Sequence, residues 1–483
     1  MSVKSFDIKS RQTRTMQLPL DADGYIPRIM ATSDSSRVAV FTLNRHQDCL
    51  RIYMANPLST NCQMVIEDKV DKYVSEDEYT DARLTGNHLL LMSERSGWRT
   101  AYLYNLNGQL MRTVASPNAQ SDVSEIYGYD EQTGDVFFAA HADGPTDQKV
   151  YVQHKTGKTD CLTPKDGWTS ATFSGNMKYY IAHWSDLNTP PTYTLCSSNG
   201  KTIATLIDNK TLAQRYAAAA TATKELFTLT TAEGVTLNGW MVKPAGFSAQ
   251  KKYPVIMYQY GGPGNQQVKN AWGIGMSGQG AILEQYLCQL GYICVCVDNR
   301  GTGGRGADFE KCTYLNLGEK EARDQVETAV WLGQQSYVDK NRIGIWGWSY
   351  GGWNTLMAMS EGRPVFAAGV AIAPPTNWRY YDTVYTERYM RTPNENPRGY
   401  DEVNPIARAG NLHGALLVCH GLADDNVHYQ NTAEYVEALV QADKDFRQLV
   451  YTNRNHSIHG GNTRNHLFRQ AINHFNAELH PNY

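Results

Sequence analysis

One stretch constrains the fold more than any other: Gly344-Ile345-Trp346-Gly347-Trp348-Ser349-Tyr350-Gly351-Gly352-Trp353. Residues 342–348 form an apolar run of strand length, and 353–359 contain few β-branched residues and predict a helix. Between them Gly347 and Gly351 bracket Ser349 as G-x-S-x-G. A turn from strand straight into helix strains the serine backbone and packs the two elements too closely for side chains, so glycine stands on both sides. Such an elbow presents a hydroxyl at the carboxyl end of a strand, as a nucleophile requires.

The surroundings of the elbow fit that reading. After a hairpin over 227–230 and 236–242, apolar strands are expected over 254–260, 292–298, 343–348, 366–373, 415–420 and 448–452. Helices are expected over 281–290, 319–333, 353–360, 431–442 and 465–478. Continuous apolar strands alternating with helices imply a mostly parallel sheet covered on both faces. With the elbow, residues 216–483 read as an α/β-hydrolase domain.

Residues 1–215 follow another rule. They are rich in Thr, Asn, Ser and Gly, with short apolar alternations and hardly a helical period. Four stretches repeat a strand, a polar turn and a second strand, and the markers Val38, Leu89, Val136 and Tyr179 are about 51, 47 and 43 residues apart. That spacing is in the range of propeller blades. Asn107-Gly108, Thr133-Gly134 and Asn199-Gly200 supply turns between strands. The fold expected is therefore mixed: a partial β-propeller of about four blades, followed by the α/β-hydrolase domain. Four blades is the low end for closure, and the chain opens inside a blade-like pattern, so a truncated larger propeller is expected. An alanine-rich run over 212–223 predicts a connecting helix.

Composition narrows the partners. A chain of 483 residues exceeds one hydrophobic core, and its net charge of −3 gives no support for nucleic acid. No run reaches membrane-spanning length, and residues 1–9 lack the apolar core of a signal peptide. The nine cysteines include no C-x-x-C pair, and Cys288, Cys294, Cys296 and Cys419 lie in apolar runs as expected buried thiols.

A serine nucleophile needs a histidine base held by a carboxylate, and in this fold they follow in the order Ser, Asp or Glu, His. Loop 420–428 (His-Gly-Leu-Ala-Asp-Asp-Asn-Val-His) and loop 453–459 (Asn-Arg-Asn-His-Ser-Ile-His) both follow strands. His420 precedes both acids and His428 is too near them to reach the serine, leaving His456 and His459, of which His456 is nearer its strand. Of the adjacent acids, Asp424 follows its strand more directly than Asp425. The expected triad is Ser349, Asp424 and His456. An oxyanion would be met by the Tyr350 N–H and by the loop 258–264, where Tyr260 offers a hydroxyl and the glycines allow close backbone approach.

Two other patterns are set aside. Gly301 to Gly306 fits G-x-G-x-x-G but belongs to a late strand, with Leu315 to Gly318 before the next clear helix, so no dinucleotide is expected. His456, His459 and His466 lack the helical H-E-x-x-H spacing, so neither metal nor other cofactor is expected.

Gly347 to Gly352, Ala423 to His428, Tyr451 to His456 and Trp378 to Met390 together resemble the propeller-bearing dipeptidyl peptidase IV branch of the prolyl oligopeptidase family, in its bacterial wording. Ser93-Glu-Arg-Ser-Gly-Trp98 is the best landmark upstream. The resemblance supports the same triad and the same oxyanion donors, Tyr260 and Tyr350. It further implies a proline pocket of Tyr350, Trp378, Tyr381, Tyr385 and Val427, with Asn426 holding the carbonyl of the amino-terminal residue and Tyr381 near the amine. Pro375 stands where the family commonly has an aliphatic residue. It implies release of Xaa-Pro and Xaa-Ala dipeptides from peptides with a free amino terminus, a homodimer, and export to the periplasm or outside. The family's paired glutamates that clamp the amine are missing; Glu76-Asp77-Glu78 is read instead as a solvated loop. The chain therefore resembles the carboxyl-terminal part of such an enzyme, with looser amino-end specificity or incomplete activity as alternatives.

Overall fold

A computed structural model describes residues 1–219, 222–275 and 281–480. It divides into two compact units, one of Met1–Ser185, Pro191–Asp208 and Gly304–Asp308, the other of Asp186–Pro190, Asn209–Gly303 and Phe309–Tyr483.

The first unit holds a short antiparallel pair, Lys4–Asp7 with Gln12–Thr15, and four four-stranded antiparallel sheets in chain order. The middle strands are Val38–Leu43 and Cys49–Ala55, His88–Ser93 and Thr100–Asn105, Asp135–Ala140 and Lys149–Gln153, and Tyr179–Ser185 and Thr192–Ser197. These are the strand pairs legible in the sequence, because most are buried on both faces and read as apolar runs. The flanking strands were not legible: Thr202–Ile207 is exposed at every position, and Trp168–Phe173 mixes Thr and Ser with its aromatics. Consecutive sheets share apolar cores. One joins Phe41 and Ile52 to Leu89 and Tyr104, the next Leu103 to Phe138, and the last Phe137 to Tyr180. Gly108, Gly134 and Gly200 take φ of 83°, 77° and 86°, which their turns require.

One expectation is corrected in this unit. Glu76-Asp77-Glu78 is not a solvated loop: Glu76–Thr80 is a short helix with a capping box at Ser75, and Glu78 is buried. Leu315 to Gly318 do precede the next long helix, Glu319–Gly333, with only the short turns Ala307–Glu310 and Lys311–Thr313 before them. Gly306 (φ 76°) donates its N–H to Asp122 Oδ2 at 3.0 Å, and a Cβ there would meet the Trp98 ring at 2.9 Å. That glycine serves close packing within the first unit.

The second unit holds one eight-stranded sheet. Its strands are β1 (Lys224–Thr230), β2 (Thr236–Val242), β3 (Tyr253–Tyr258), β4 (Ile293–Asp298), β5 (Val338–Trp348), β6 (Ala368–Ile372), β7 (Ala415–Gly421) and β8 (Arg447–Tyr451). They lie in the order β1-β2-β4-β3-β5-β6-β7-β8, antiparallel as far as β4 and parallel from β4 onward. From β3 the chain steps outward to β4 and then returns to β5 on the other side. The crevice of an open α/β sheet lies beyond the carboxyl ends of the strands at such a reversal. The helix after β5, Tyr350–Met359, begins three residues before the expected 353. The expected connecting helix is Lys210–Ala219, with no buried residue, and positions 220 and 221 lie outside the described residues. Cys288, Cys294, Cys296 and Cys419 are free and buried. No helix among the described residues is long and apolar enough to cross a membrane.

Candidate active site

Ser349 stands at the carboxyl end of β5, beside the reversal, with φ 59° and ψ −121°. No β-strand or helix uses that backbone geometry, and the surroundings hold it in place. Its N–H donates to Ile372 O at 2.8 Å, and its carbonyl accepts from Trp353 N at 3.0 Å. A Cβ on Gly347 would lie 2.4 Å from the Gly351 carbonyl, and one on Gly351 2.5 Å from Gln259 O. The glycines of the motif are therefore fixed by contact distance. Tyr350 is the first helical residue, so its N–H has no partner within the helix.

Behind the elbow lies a buried polar network absent from any sequence motif. Gln259, at the end of β3, donates to Gly351 O at 2.7 Å and Thr355 Oγ1 at 3.0 Å, and accepts from Asn354 Nδ2 at 2.8 Å. Asn299 donates to Gly261 O at 3.0 Å and accepts from Gln325 Nε2 at 3.0 Å. Gln259, Asn299, Gln325, Asn354 and Thr355 are all fully buried. Together they fix loop 259–264 to the elbow helix and so fix Tyr260, whose ring centroid is 6.0 Å from that of Tyr350. Burial raises the Tyr260 hydroxyl above its ordinary value, keeping it a donor.

Asp424 and His456, the expected acid and base, lie on the loops after β7 and β8. Asp424 is buried, whereas Asp425 is exposed. Asp424 Oδ1 accepts from the N–H groups of Asn426 (3.0 Å) and Val427 (2.9 Å). Its Oδ2 lies 2.8 Å from His456 Nδ1 and 3.2 Å from His420 Nε2. Burial by itself would push this carboxyl up; the hydrogen bonds from His420 and His456 and the neighbouring backbone outweigh it, holding the group well below the usual carboxylate range. A carboxylate accepts only, so His456 carries its proton on Nδ1 and leaves Nε2 free to act as a base. Among the described residues, the Ser349 hydroxyl and the His456 ring make no hydrogen bond to each other. Trp348 Nε1 donates to His456 O at 3.1 Å, tying the base loop to the elbow strand. His459 and His428 are exposed, and His466 bonds the Tyr451 hydroxyl at 2.9 Å.

Beside Tyr350 the aromatic residues form a continuous cluster. Trp378 contacts Tyr350, Tyr381 and Tyr385 with centroids 5.6, 6.0 and 6.0 Å away, and Tyr381 meets Tyr385 edge-on at 5.3 Å. Helix Thr383–Met390, not expected from the sequence, carries Tyr385 and is capped by Asp382. Tyr381 donates its hydroxyl to Asn426 Oδ1 at 2.8 Å, and burial pushes that hydroxyl up to about 12. Val427 and Pro375 are buried, and Asn426 is exposed. The cluster has a polar floor that the sequence did not reveal. Glu321, on helix Glu319–Gly333, accepts the Tyr350 hydroxyl at 2.8 Å, and full burial raises its carboxyl to about 7.

A strained serine at the sheet's reversal, an Asp–His pair beside it and an aromatic cluster alongside define an α/β-hydrolase. The prolyl oligopeptidase family model matches residues 282–481, and the model of the dipeptidyl peptidase IV N-terminal region matches residues 1–191. A probable dipeptidyl peptidase 4 of Aspergillus clavatus is 32% identical over 93% of this chain and 60% of its own length. The crystal structure of Porphyromonas gingivalis dipeptidyl peptidase 4 superposes with a TM-score of 0.95 at 41% identity, over 99% of this chain and 67% of that one. A putative dipeptidyl aminopeptidase IV of Bacteroides ovatus gives 0.88 at 28% identity, over 98% and 69%. The chain belongs to the dipeptidyl peptidase IV branch of the prolyl oligopeptidase family. It spans about 60% of the length of the curated relative from A. clavatus.

Proposed function

We propose that this chain carries the catalytic centre of a serine exopeptidase that releases Xaa-Pro, and also Xaa-Ala, dipeptides from free amino termini. The observation that carries the reading is the Asp424–His456 pair at 2.8 Å, delivered beside the strained Ser349 and the Tyr350–Trp378 aromatic cluster. Ser349 Oγ attacks the carbonyl carbon of the second residue while His456 Nε2 takes its proton. The oxyanion is met by the Tyr350 N–H and the Tyr260 hydroxyl, fixed in advance by the Gln259 network. His456 then protonates the departing amine, leaving the dipeptide as an ester on Ser349. Water, deprotonated by the same ring, releases it. The flat, apolar pyrrolidine ring suits the faces of Tyr350, Trp378, Tyr381 and Tyr385, with Val427 closing the pocket. Asn426, oriented by Tyr381, holds the carbonyl of the amino-terminal residue.

The test is release of chromophore from Gly-Pro-p-nitroanilide. Turnover should be lost in Ser349→Ala, by about 10³-fold or more. Unchanged turnover in that variant would overturn the assignment. Equal cleavage of amino-blocked and free substrates would instead identify an oligopeptidase or acyl-peptidase without an amino-end requirement.

A further inference from the structure

His420 was set aside in the sequence because it precedes both acids, yet it is fully buried against the acid that the triad uses. We propose that His420 is a positioning residue, held as the neutral Nε2–H tautomer, that shares one proton between Asp424 and the backbone of the pocket loop. The inference rests on the Ser349–Asp424–His456 reading. His420 Nε2 lies 2.8 Å from Val427 O and 3.2 Å from Asp424 Oδ2. A carbonyl and a carboxylate accept and never donate, so Nε2 must carry the proton and divide it between them. Nδ1 is 2.7 Å from Thr432 Oγ1, and in the proposed tautomer it accepts that hydroxyl from the far side. The Tyr429 ring packs edge-on at 5.7 Å and closes the site.

Asp424 thus receives four donors, two on each oxygen. His420 and the two loop N–H groups hold the carboxylate plane so that Oδ2 faces His456. Because His420 draws on the same oxygen, it also limits the charge that Oδ2 offers to a protonated His456. Through Val427 O the same N–H ties the acid to a residue of the proposed proline pocket, so the triad and the pocket wall keep a common register. The other titratable groups near this carboxylate include His456 and Tyr381, with the exposed Asp425 next to it in the chain and Tyr429 against His420.

The experiment compares His420→Phe, His420→Gln and Thr432→Val with wild type on Gly-Pro-p-nitroanilide, recording kcat, KM, the pH profile and thermal melting. The Gln amide places an N–H near the imidazole Nε2, whereas Phe fills the space without a donor. The Phe variant should lose about tenfold in kcat with KM within about twofold. Its acidic limb should move to higher pH, because Oδ2 then gives more charge to His456. The Gln variant should recover to within about threefold, and Thr432→Val should lose a few-fold in kcat. A folded Phe variant with wild-type kcat and profile overturns the proposal, as does a Gln variant no better than Phe. If Phe does not fold, a Gln variant down more than about tenfold, or a wild-type Thr432→Val, overturns it. Absence of Ser349-dependent turnover in the wild type defeats the parent reading instead, so the two failures are distinguishable.

Discussion

Two buried carboxyl groups, one bonded to Tyr350 and the other to His456, end in opposite states. Asp424, on the loop after β7, is held well below the carboxylate range, whereas Glu321, at the start of helix Glu319–Gly333, rises to about 7. Burial opposes charge at both. The difference is the kind of donor: two imidazoles and two backbone N–H groups reach Asp424, while the Tyr350 hydroxyl and the backbone at Gly318 and Glu321 bond the fully buried Glu321, with no imidazole among them. Desolvation costs several kcal/mol for an ion, and donors that can themselves carry charge, as the imidazoles can, offset it better than a hydroxyl does. The loop after β7 therefore holds an anion, and the start of the helix holds a carboxyl that stays protonated below about 7 behind the elbow.

Asp424→Asn breaks this contrast most severely. The loop N–H groups keep the amide oxygen at the Oδ1 position, so the NH₂ faces His456 Nδ1 and forces the wrong tautomer. Turnover should fall by about 10³- to 10⁴-fold while the fold is retained; a loss below about tenfold would deny the Asp–His pair its role. Tyr381→Phe removes the hydroxyl that orients Asn426 and should raise KM for Xaa-Pro substrates about three- to tenfold with kcat nearly unchanged.

Glu321→Gln sharpens the comparison through stability. The folded carboxyl titrates near 7 rather than at its ordinary 4.5, so its contribution to wild-type stability is full below 4.5 and declines as pH rises toward 7. Glutamine keeps a bond to the Tyr350 hydroxyl and does not titrate. The variant should gain roughly 1–3 kcal/mol on wild type between pH 5 and 7, read from denaturant curves; parallel curves would show Glu321 ionised. Asp425→Asn, next to the anion but exposed, should stay within about twofold of wild type in kcat/KM.

Much of this was legible in the chain. The elbow announced itself through Gly347 and Gly351, whose replacement would put atoms 2.4 to 2.5 Å apart, and the double-buried strands through their unbroken apolar runs. What was not legible depends on partners far apart in sequence. Gln259 meets Thr355, Asn299 meets Gly261 and Glu321 meets Tyr350, and none of these residue types has a local pattern that marks it as buried. Helix Thr383–Met390 passed unnoticed because its residues also fit an aromatic motif read for chemistry alone. His420 was judged by its order in the chain, which decides who can be the base but not who can hold the acid.

The approach of the two loops carries a further consequence. Leu422 N donates to Tyr451 O at 3.0 Å and Ala423 N to Arg454 O at 3.1 Å, and a Cβ on Gly421 would sit 2.2 Å from Arg454 O. The strand ends that carry Asp424 and His456 are thus sewn together by main chain, independent of side-chain identity. For anyone recombining such enzymes, the two segments are one exchangeable cassette. Crossovers falling between 421 and 454 separate halves that were fitted to each other, whereas a graft carrying both keeps the Asp424–His456 pair aligned.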